Sequence, residues 1–142
     1  MKSVLKKIGN HFSDISNDSR HTKKNSLFLA YPGMHHDGRD YIEAAIKKGA
    51  KAILYEKKNY VWKKSWNTKN FPVKDLKNKE GEIANIFFKE PSKQLLTIGI
   101  TGTNGKTSCA YWMAEIQNLM GKKTGVIGTL GFGYKKLKSH AY

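Results

Sequence analysis

Short apolar runs alternate with polar stretches over the first 90 residues, and their spacing predicts a small α/β unit. Residues 26–31 form an apolar run that stops at Pro32, which is typical of a strand followed by a turn. Apolar positions in residues 41–46 recur at helical spacing, and Gly49 follows where a helix would end. Residues 51–55 predict a second strand, so strand, helix and strand succeed one another within about 30 residues.

The next stretch is less regular. Residues 59–70 are rich in Trp, Lys and Asn and predict a surface loop, whereas residues 73–88 have the spacing of an amphipathic helix that ends before Pro91. The sequence from Glu90 to Ser92 favours a domain boundary. We therefore expect one domain over residues 1–91 and the start of a second over residues 92–142.

The second zone has the order of a nucleotide-binding unit. Residues 95–100 (LLTIGI) predict a buried strand, and the polar loop TGTNGKTS follows at once. Residues 109–120 have helical spacing, residues 124–127 predict another short strand, and residues 128–133 are rich in glycine. This order predicts an α/β fold in which strand, loop, helix and strand open a parallel sheet.

Composition bounds the class of protein. The chain has 142 residues, with 26 Lys and Arg against 11 Asp and Glu, for a formal charge of +15. The single cysteine, Cys109, excludes an internal disulfide. No apolar run approaches the roughly 20 residues that span a bilayer, and the N-terminus lacks a signal-peptide core. We expect a cytoplasmic monomer without membrane insertion.

The positive charge also raises the possibility of a nucleic-acid partner. Only Arg20 and Arg39 are arginines, and the lysines are spread over the chain rather than gathered in one motif. Specific nucleic-acid recognition favours arginine, whose planar group binds with two parallel hydrogen bonds. A solvated, lysine-rich surface is the favoured interpretation, and a basic nucleic-acid-binding protein is kept as the alternative.

The loop before the second helix carries the strongest chemical pattern. Gly102 and Gly105 allow a tight turn whose N–H groups surround phosphate oxygens, and the following helix adds the positive end of its dipole. Lys106 supplies a cation for the phosphates, and the Thr107 hydroxyl is a candidate ligand of Mg²⁺. The candidate nucleotide-phosphate-binding residues are Gly102, Thr103, Asn104, Gly105, Lys106, Thr107 and Ser108.

Residues 99–108 (GITGTNGKTS) resemble the ATP loop of the Mur ligases and their folylpolyglutamate synthetase relatives. Three further motifs make the resemblance more specific within that superfamily: DSR at residues 18–20, LFLA at residues 27–30 and DGRD at residues 37–40. Together they are similar to the UDP-sugar-binding domain of the ligases that add the third amino acid to the peptidoglycan precursor. A folylpolyglutamate- or cyanophycin-type ligase shares the phosphate loop but gives no reason for the motifs at residues 18–20 and 37–40.

The resemblance implies an ATP- and Mg²⁺-dependent ligase that activates the carboxylate of UDP-MurNAc-L-Ala-D-Glu as an acyl phosphate. The incoming amine would be that of diaminopimelate or lysine, and the sequence leaves this choice open. The resemblance also places five residues at the UDP-sugar. They are Asn17, Ser19, Met34, His35 and His36.

Two groups of these motif residues have alternative roles. Arg20 and Arg39 either contact a ligand or pair with a neighbouring aspartate to hold a loop. The adjacent His35 and His36 could indicate a metal site, but neighbouring residues rarely chelate one ion and no further ligand has suitable spacing. A metal site at these histidines is therefore not favoured.

Acidic residues are scarce beside the phosphate loop. Mg²⁺ usually takes one or two protein carboxylates, yet the only acid after Glu90 is Glu115, about two helical turns beyond Thr107. By the resemblance, the catalytic residues of the family are expected downstream of Tyr142. The sequence thus predicts an N-terminal fragment that is inactive by itself.

Overall fold

The structure, a computed structural model, describes residues 12–134 and 136–138. It divides into two compact units, one ending at Leu95 and the other beginning at Leu96. The sequence had placed this boundary four residues earlier, between residues 91 and 92. The mixed α/β class with a parallel sheet is as predicted.

The N-terminal unit is built on a four-stranded parallel sheet. Its strands are β1 (Ile15–Ser16), β2 (Leu27–Ala30), β3 (Ala52–Glu56) and β4 (Lys69–Val73), in the spatial order β1-β2-β3-β4. Strands β2 and β3 confirm the two strands that the apolar runs predicted. Because all four strands are parallel, their carboxyl ends lie along one edge of the sheet.

Helices follow β2 and β4. After β2, a 3₁₀ turn (Gly38–Tyr41) runs into helix α1 (Ile42–Lys47), and after β4 comes helix α2 (Leu76–Phe87). Both predicted helices are therefore confirmed. Gly49 has a φ of +94° two residues after α1, a left-handed conformation that glycine adopts without strain and that ends the helix.

Successive residues of β2 contribute to two separate apolar cores. Leu27 and Leu29 pack on the side of α2, whereas Phe28 and Ala30 pack on the side of α1. This alternation follows from the two-residue period of a strand. Since every residue of β2 is buried, the sheet is covered on both faces.

Strand β4 lies where the sequence predicted the end of a loop and the start of a helix. The polar residues and Pro72 of β4 do not form the apolar pattern that is typical of a strand, so the sequence did not predict it. Helix α2 begins at Leu76 rather than at residue 73. The Val73 carbonyl accepts a hydrogen bond from Lys57 N–H at 3.1 Å, so the backbone polar groups of Val73 point toward β3. Those of the preceding residue, Pro72, point away from β3, and the missing N–H of proline therefore costs no hydrogen bond between the strands. Strand β1 was also missed because it has only two residues.

The second unit contains helix α3 (Lys106–Leu119) and three strands, β5 (Val126–Gly128), β6 (Gly131–Tyr134) and β7 (Lys136–Lys138). The helix and β5 were predicted. The glycine-rich stretch forms the tight turn between β5 and β6, in which Gly128 pairs with Gly131. All pairings in this sheet are antiparallel.

Residues 95–100 correct the sequence prediction, because they form no strand and most of them are exposed. Leu96 is 91% and Ile98 55% exposed. A strand needs a neighbour for its backbone N–H and C=O groups, and β5 pairs with β6 instead. The predicted parallel pairing of residues 95–100 with residues 124–127 is therefore wrong within the described part of the chain.

Among the residues that the structure describes, no helix combines the length and apolar character needed to cross a membrane.

Candidate functional site

The candidate residues of the N-terminal unit follow the first two strands of its sheet. Asn17 and Ser19 come directly after β1, and residues 34–36 lie in the loop after β2. Because β1 and β2 are parallel neighbours, their carboxyl ends bring these segments to the same edge. This edge is where ligands bind in open α/β sheets.

The loop after β2 is a compact hairpin-like turn. Pro32 pairs with Asp37, and Gly33 N–H donates to the His36 carbonyl at 2.8 Å. Gly38 closes the loop by donating to the Tyr31 carbonyl at 2.9 Å, and a Cβ at Gly38 would come within 2.8 Å of that oxygen. The loop thereby presents Met34, His35 and His36 to solvent, with Met34 87% exposed.

Asn17 belongs to a hydrogen-bonded group that joins β1, β2 and α2. Its Nδ2 donates to Tyr31 Oη at 3.0 Å and to Glu80 Oε1 at 2.8 Å, and Tyr31 Oη donates to Glu80 Oε2 at 2.6 Å. Burial and the hydrogen bond to Glu80 raise the pKa of Tyr31 to about 12. Tyr31 and Glu80 were missed by sequence reasoning, since Glu80 lies 63 residues after Asn17.

Arg39 holds the loop and the end of β3 together. Its guanidinium pairs with Asp37 at 2.6 Å, donates to the Lys58 carbonyl at 2.7 Å and lies 4.9 Å from the ring centre of Tyr60. The hydrogen bond from Arg39 lowers the pKa of Asp37. Because Arg39 is buried and fully engaged, its geometry supports the loop-holding role.

Arg20 forms a similar but more exposed pair with Asp18, whose Oδ2 lies 2.7 Å from Arg20 Nη2. Hydrogen bonding from Arg20 lowers the pKa of Asp18 to about 2. Ser19 lies between these two partners and is half-buried. The Asp18–Arg20 pair therefore fixes the backbone on either side of Ser19.

The structure brings no metal cluster to the two adjacent histidines. Across residues 12–134 and 136–138, no group of three or more His, Cys, Asp or Glu side chains has an arrangement that could hold a metal ion.

The phosphate-loop candidates precede α3. Gly102 and Gly105 have φ values of +147° and +74°, so both use the conformational freedom of glycine. The first helical hydrogen bond runs from Cys109 N–H to the Gly105 carbonyl at 2.9 Å. The N–H groups of the first turn, at Lys106, Thr107 and Ser108, therefore have no intrahelical acceptor and suit an anion.

Two side chains of this first turn are placed by short contacts. Lys106 Nζ donates to the Gly102 carbonyl at 2.6 Å and to the Thr103 carbonyl at 3.2 Å, so the ammonium lies against the loop. The Thr107 hydroxyl lies 3.5 Å from the hydroxyl of Thr129 in the β5–β6 turn. Thr129 was missed because only the fold brings the glycine-rich turn beside the loop.

These features fit phosphate groups better than they fit a bare metal ion. The loop offers backbone donors, a lysine ammonium and a hydroxyl, of which only the hydroxyl is a metal ligand. Glu115, eight residues beyond Thr107 on α3, lies about 12 Å further along the helix axis. A Mg²⁺ ion here would depend on Thr107 and on oxygens that the nucleotide itself brings.

Comparison with protein families finds two matches, one in each unit. A family model described as the Mur ligase family, catalytic domain, matches residues 11–88. A second model, the Mur ligase middle domain, matches residues 100–141. The two matches together cover both the loop after β2 and the phosphate loop.

Curated relatives extend this similarity. The chain is 43% identical over 121 residues to the UDP-N-acetylmuramoyl-L-alanyl-D-glutamate--2,6-diaminopimelate ligase of Janthinobacterium sp. (strain Marseille), covering 85% of this chain and 24% of that relative. It is 46% identical over 117 residues to the ligase of the same name from Nitrosomonas europaea, covering 82% and 22%. The chain thus spans about a quarter of the length of these relatives.

Solved structures agree with the fold. A structure of UDP-N-acetylmuramoyl-L-alanyl-D-glutamate--2,6-diaminopimelate ligase has a TM-score of 0.64 and 27% identity, covering 91% of this chain and 26% of the other. The MurF ligase of Thermotoga maritima, solved in complex with ADP, has a TM-score of 0.56 and 23% identity, covering 78% and 24%.

Proposed function

The chain belongs to the Mur ligase family, and we propose that its two units serve an ATP-dependent ligase of peptidoglycan synthesis. The N-terminal unit would bind the UDP-sugar of UDP-MurNAc-L-Ala-D-Glu, and the second unit would bind the phosphates of ATP. The names of the similar curated proteins favour diaminopimelate over lysine as the added amino acid. They give no support to a folylpolyglutamate- or cyanophycin-type substrate.

The geometry of the phosphate loop carries this proposal. Two glycines at positive φ lead into a helix whose first turn supplies N–H donors, the Lys106 ammonium and the Thr107 hydroxyl. Each of these groups has a task in phosphoryl transfer, because donors and a cation stabilise the charge on phosphate oxygens. On ATP binding, the Lys106 ammonium would exchange its carbonyl acceptors at Gly102 and Thr103 for phosphate oxygens.

Phosphoryl transfer at this loop would also draw on the positive charge of a Mg²⁺ ion. In this chain the Thr107 hydroxyl would be its ligand, with Thr129 beside it to orient that hydroxyl. The loop residues Thr103, Asn104 and Ser108 are exposed and border the same turn. Their backbone and hydroxyl groups are available to surround the phosphates.

The reaction that we propose is formation of an amide through an acyl phosphate. The substrate carboxylate takes the γ-phosphoryl group of ATP and releases ADP, after which an amine attacks the acyl carbon and phosphate leaves. The residues described here would bind and orient the two substrates. Because the chain spans only about a quarter of the length of its curated relatives, we expect binding without amide formation by the 142-residue chain.

Lys106→Ala tests the phosphate site directly. Isothermal titration of Mg·ATP into the full chain should show binding that this variant weakens at least about tenfold, since an ion-paired hydrogen bond is lost. Lys123→Ala is the matched control, because Lys123 is an exposed lysine of the same unit outside the loop. Equal ATP binding by Lys106→Ala and the unsubstituted chain would overturn the assignment of the loop.

The sugar site is tested by titrating UDP-MurNAc-dipeptide and a folate into the same chain. We expect binding of the UDP-sugar alone. Binding of the folate alone would favour the folylpolyglutamate alternative instead.

A further inference from the structure

Within the residues that the structure describes, the hydrogen-bonded group of Asn17, Tyr31 and Glu80 uses only the Nδ2 atom of the Asn17 side chain. Both hydrogens of Asn17 Nδ2 are used, one toward Tyr31 Oη at 3.0 Å and one toward Glu80 Oε1 at 2.8 Å. The opposite atom of the amide, Oδ1, is an acceptor on an exposed residue at the carboxyl edge of β1. A ligand at this edge would therefore meet an acceptor.

Glu80 fixes which way this amide points. Both carboxylate oxygens of Glu80 accept hydrogen bonds, Oε1 from Asn17 Nδ2 and Oε2 from Tyr31 Oη, so a rotated amide would set Asn17 Oδ1 against an acceptor. Tyr31 imposes no such preference, because its hydroxyl can donate or accept. Glu80 is itself held in place, since it lies on α2 between the buried residues Leu76 and Ile83.

We propose that Glu80 is a positioning residue that holds Asn17 Oδ1 as the acceptor for the N3–H group of uracil, and thereby makes the site select uridine over cytidine nucleotides. This inference rests on the proposed function, because it assumes that a nucleoside diphosphate sugar binds beside Asn17. It adds a specificity role for two residues, Glu80 and Asn17, acting as a pair.

The two pyrimidines differ at the atom that would face Asn17. Uracil carries a hydrogen on N3 and donates, whereas cytosine has a lone pair on N3 and accepts. Cytosine would therefore place two acceptors together and leave both without a donor. Sites built around a fixed hydrogen bond reject analogues that lack the matching group, because a polar atom is left unpaired.

The variant Glu80→Gln tests whether Glu80 acts by orienting the Asn17 amide, because glutamine keeps the size of the side chain but can also donate a hydrogen bond. The glutamine amide can donate to Asn17 Oδ1, so the Asn17 amide becomes free to rotate and offer its Nδ2 to cytosine. In competition titrations with the full chain, we expect the unsubstituted protein to prefer UDP over CDP by about tenfold or more. Glu80→Gln should bring this ratio near one, chiefly through tighter CDP binding.

Two further variants make the test complete. Glu82→Gln is the matched control, because Glu82 is an exposed glutamate on the same helix, and it should leave the UDP-to-CDP ratio unchanged. Asn17→Ala, at an exposed position, should remove the discrimination, and adding Glu80→Gln to it should change the ratio no further. Thermal melts followed by circular dichroism verify that each variant is folded.

The outcomes distinguish this inference from the proposed function. An unaltered UDP-to-CDP ratio in folded Glu80→Gln or in Asn17→Ala, with UDP still bound, overturns the positioning role alone. Failure of the unsubstituted chain to bind either UDP or UDP-MurNAc-dipeptide overturns the proposed UDP-sugar site, and the inference with it.

Discussion

The two units of this chain bury their apolar residues to very different extents. Within the described residues, all but one of the buried hydrophobic side chains belong to the N-terminal unit, and the exception is Ala114 on α3. In the second unit, large apolar side chains of the helix and hairpin are exposed instead, including Leu119 at 82% and Ile127 at 87%.

This difference shows that a candidate site can form in a unit that buries few apolar residues. In the N-terminal unit, the loops that carry the candidate UDP-sugar residues follow strands of a sheet that is covered on both faces. In the second unit, glycine conformation and the start of a helix create the phosphate loop locally, with little burial beneath it. Local geometry thus suffices to shape the candidate phosphate loop, whereas its stability depends on packing.

Truncating one leucine in each unit is the strongest test of this comparison. Leu54 is fully buried in β3, so Leu54→Ala should lower the free energy of unfolding by about 2–5 kcal/mol. Leu119→Ala removes the same atoms from an exposed site and should cost no more than about 0.5 kcal/mol. Urea unfolding followed by circular dichroism measures both, and equal losses would contradict the difference in burial.

A second test asks how much the buried guanidinium contributes to the N-terminal unit. Arg39→Lys keeps the charge but loses the paired contact with Asp37 and part of its bonding to the Glu56 and Lys58 carbonyls, at a cost of about 1–3 kcal/mol. The exposed Arg20 provides the control, since Arg20→Lys should leave the free energy of unfolding almost unchanged. The urea midpoints of the two variants should therefore differ. Equal midpoints would show that the contacts of the Arg39 guanidinium do not stabilise the unit.

The smallest expected effect is a pH dependence confined to the N-terminal unit. Pairing with arginine holds the pKa of Asp18 at about 2 and lowers that of Asp37, below the value of about 3.9 expected in an unfolded chain. Stability from both pairs is therefore present above about pH 4 and lost as the pH falls toward 2.

Asp37→Asn should reduce the loss of unfolding free energy between about pH 5 and pH 2 by less than about 1 kcal/mol, because the pair is partly solvated. Thermal melts between pH 2 and 5 measure the change. The second unit contains a single acid, Glu115, so its helical signal should respond little over the same range. A steeper acid response in Asp37→Asn than in the unsubstituted chain would contradict the sign of the effect.

Apolar patterning predicted the elements whose neighbours are close in sequence. Strands β2 and β3 and helix α1 follow one another through short connections, so local periodicity was enough to place them. Residues 95–100 have an equally apolar pattern, but it is typical of a strand only when other strands lie beside it. The apolar pattern shows that this segment favours burial, but no strand in the described part of the chain pairs with it.

The candidate site was predictable where one motif contains its own chemistry. The loop from Gly102 to Ser108 places glycines, cation and hydroxyl within a few residues, and a helix follows as expected. Glu80 and Thr129 could not be found in this way, because each meets its partner only through folding. Pairings that are distant in sequence leave no local pattern.

Pro72 has a consequence for how the molecule behaves beside other copies of itself. It lies in an edge strand and faces outward, so it presents no N–H group where an incoming strand would seek a donor. At the opposite edge, β1 offers a ladder of only two residues. Within the described residues, both edges of the sheet are therefore poor templates for an added strand, which disfavours edge-to-edge association.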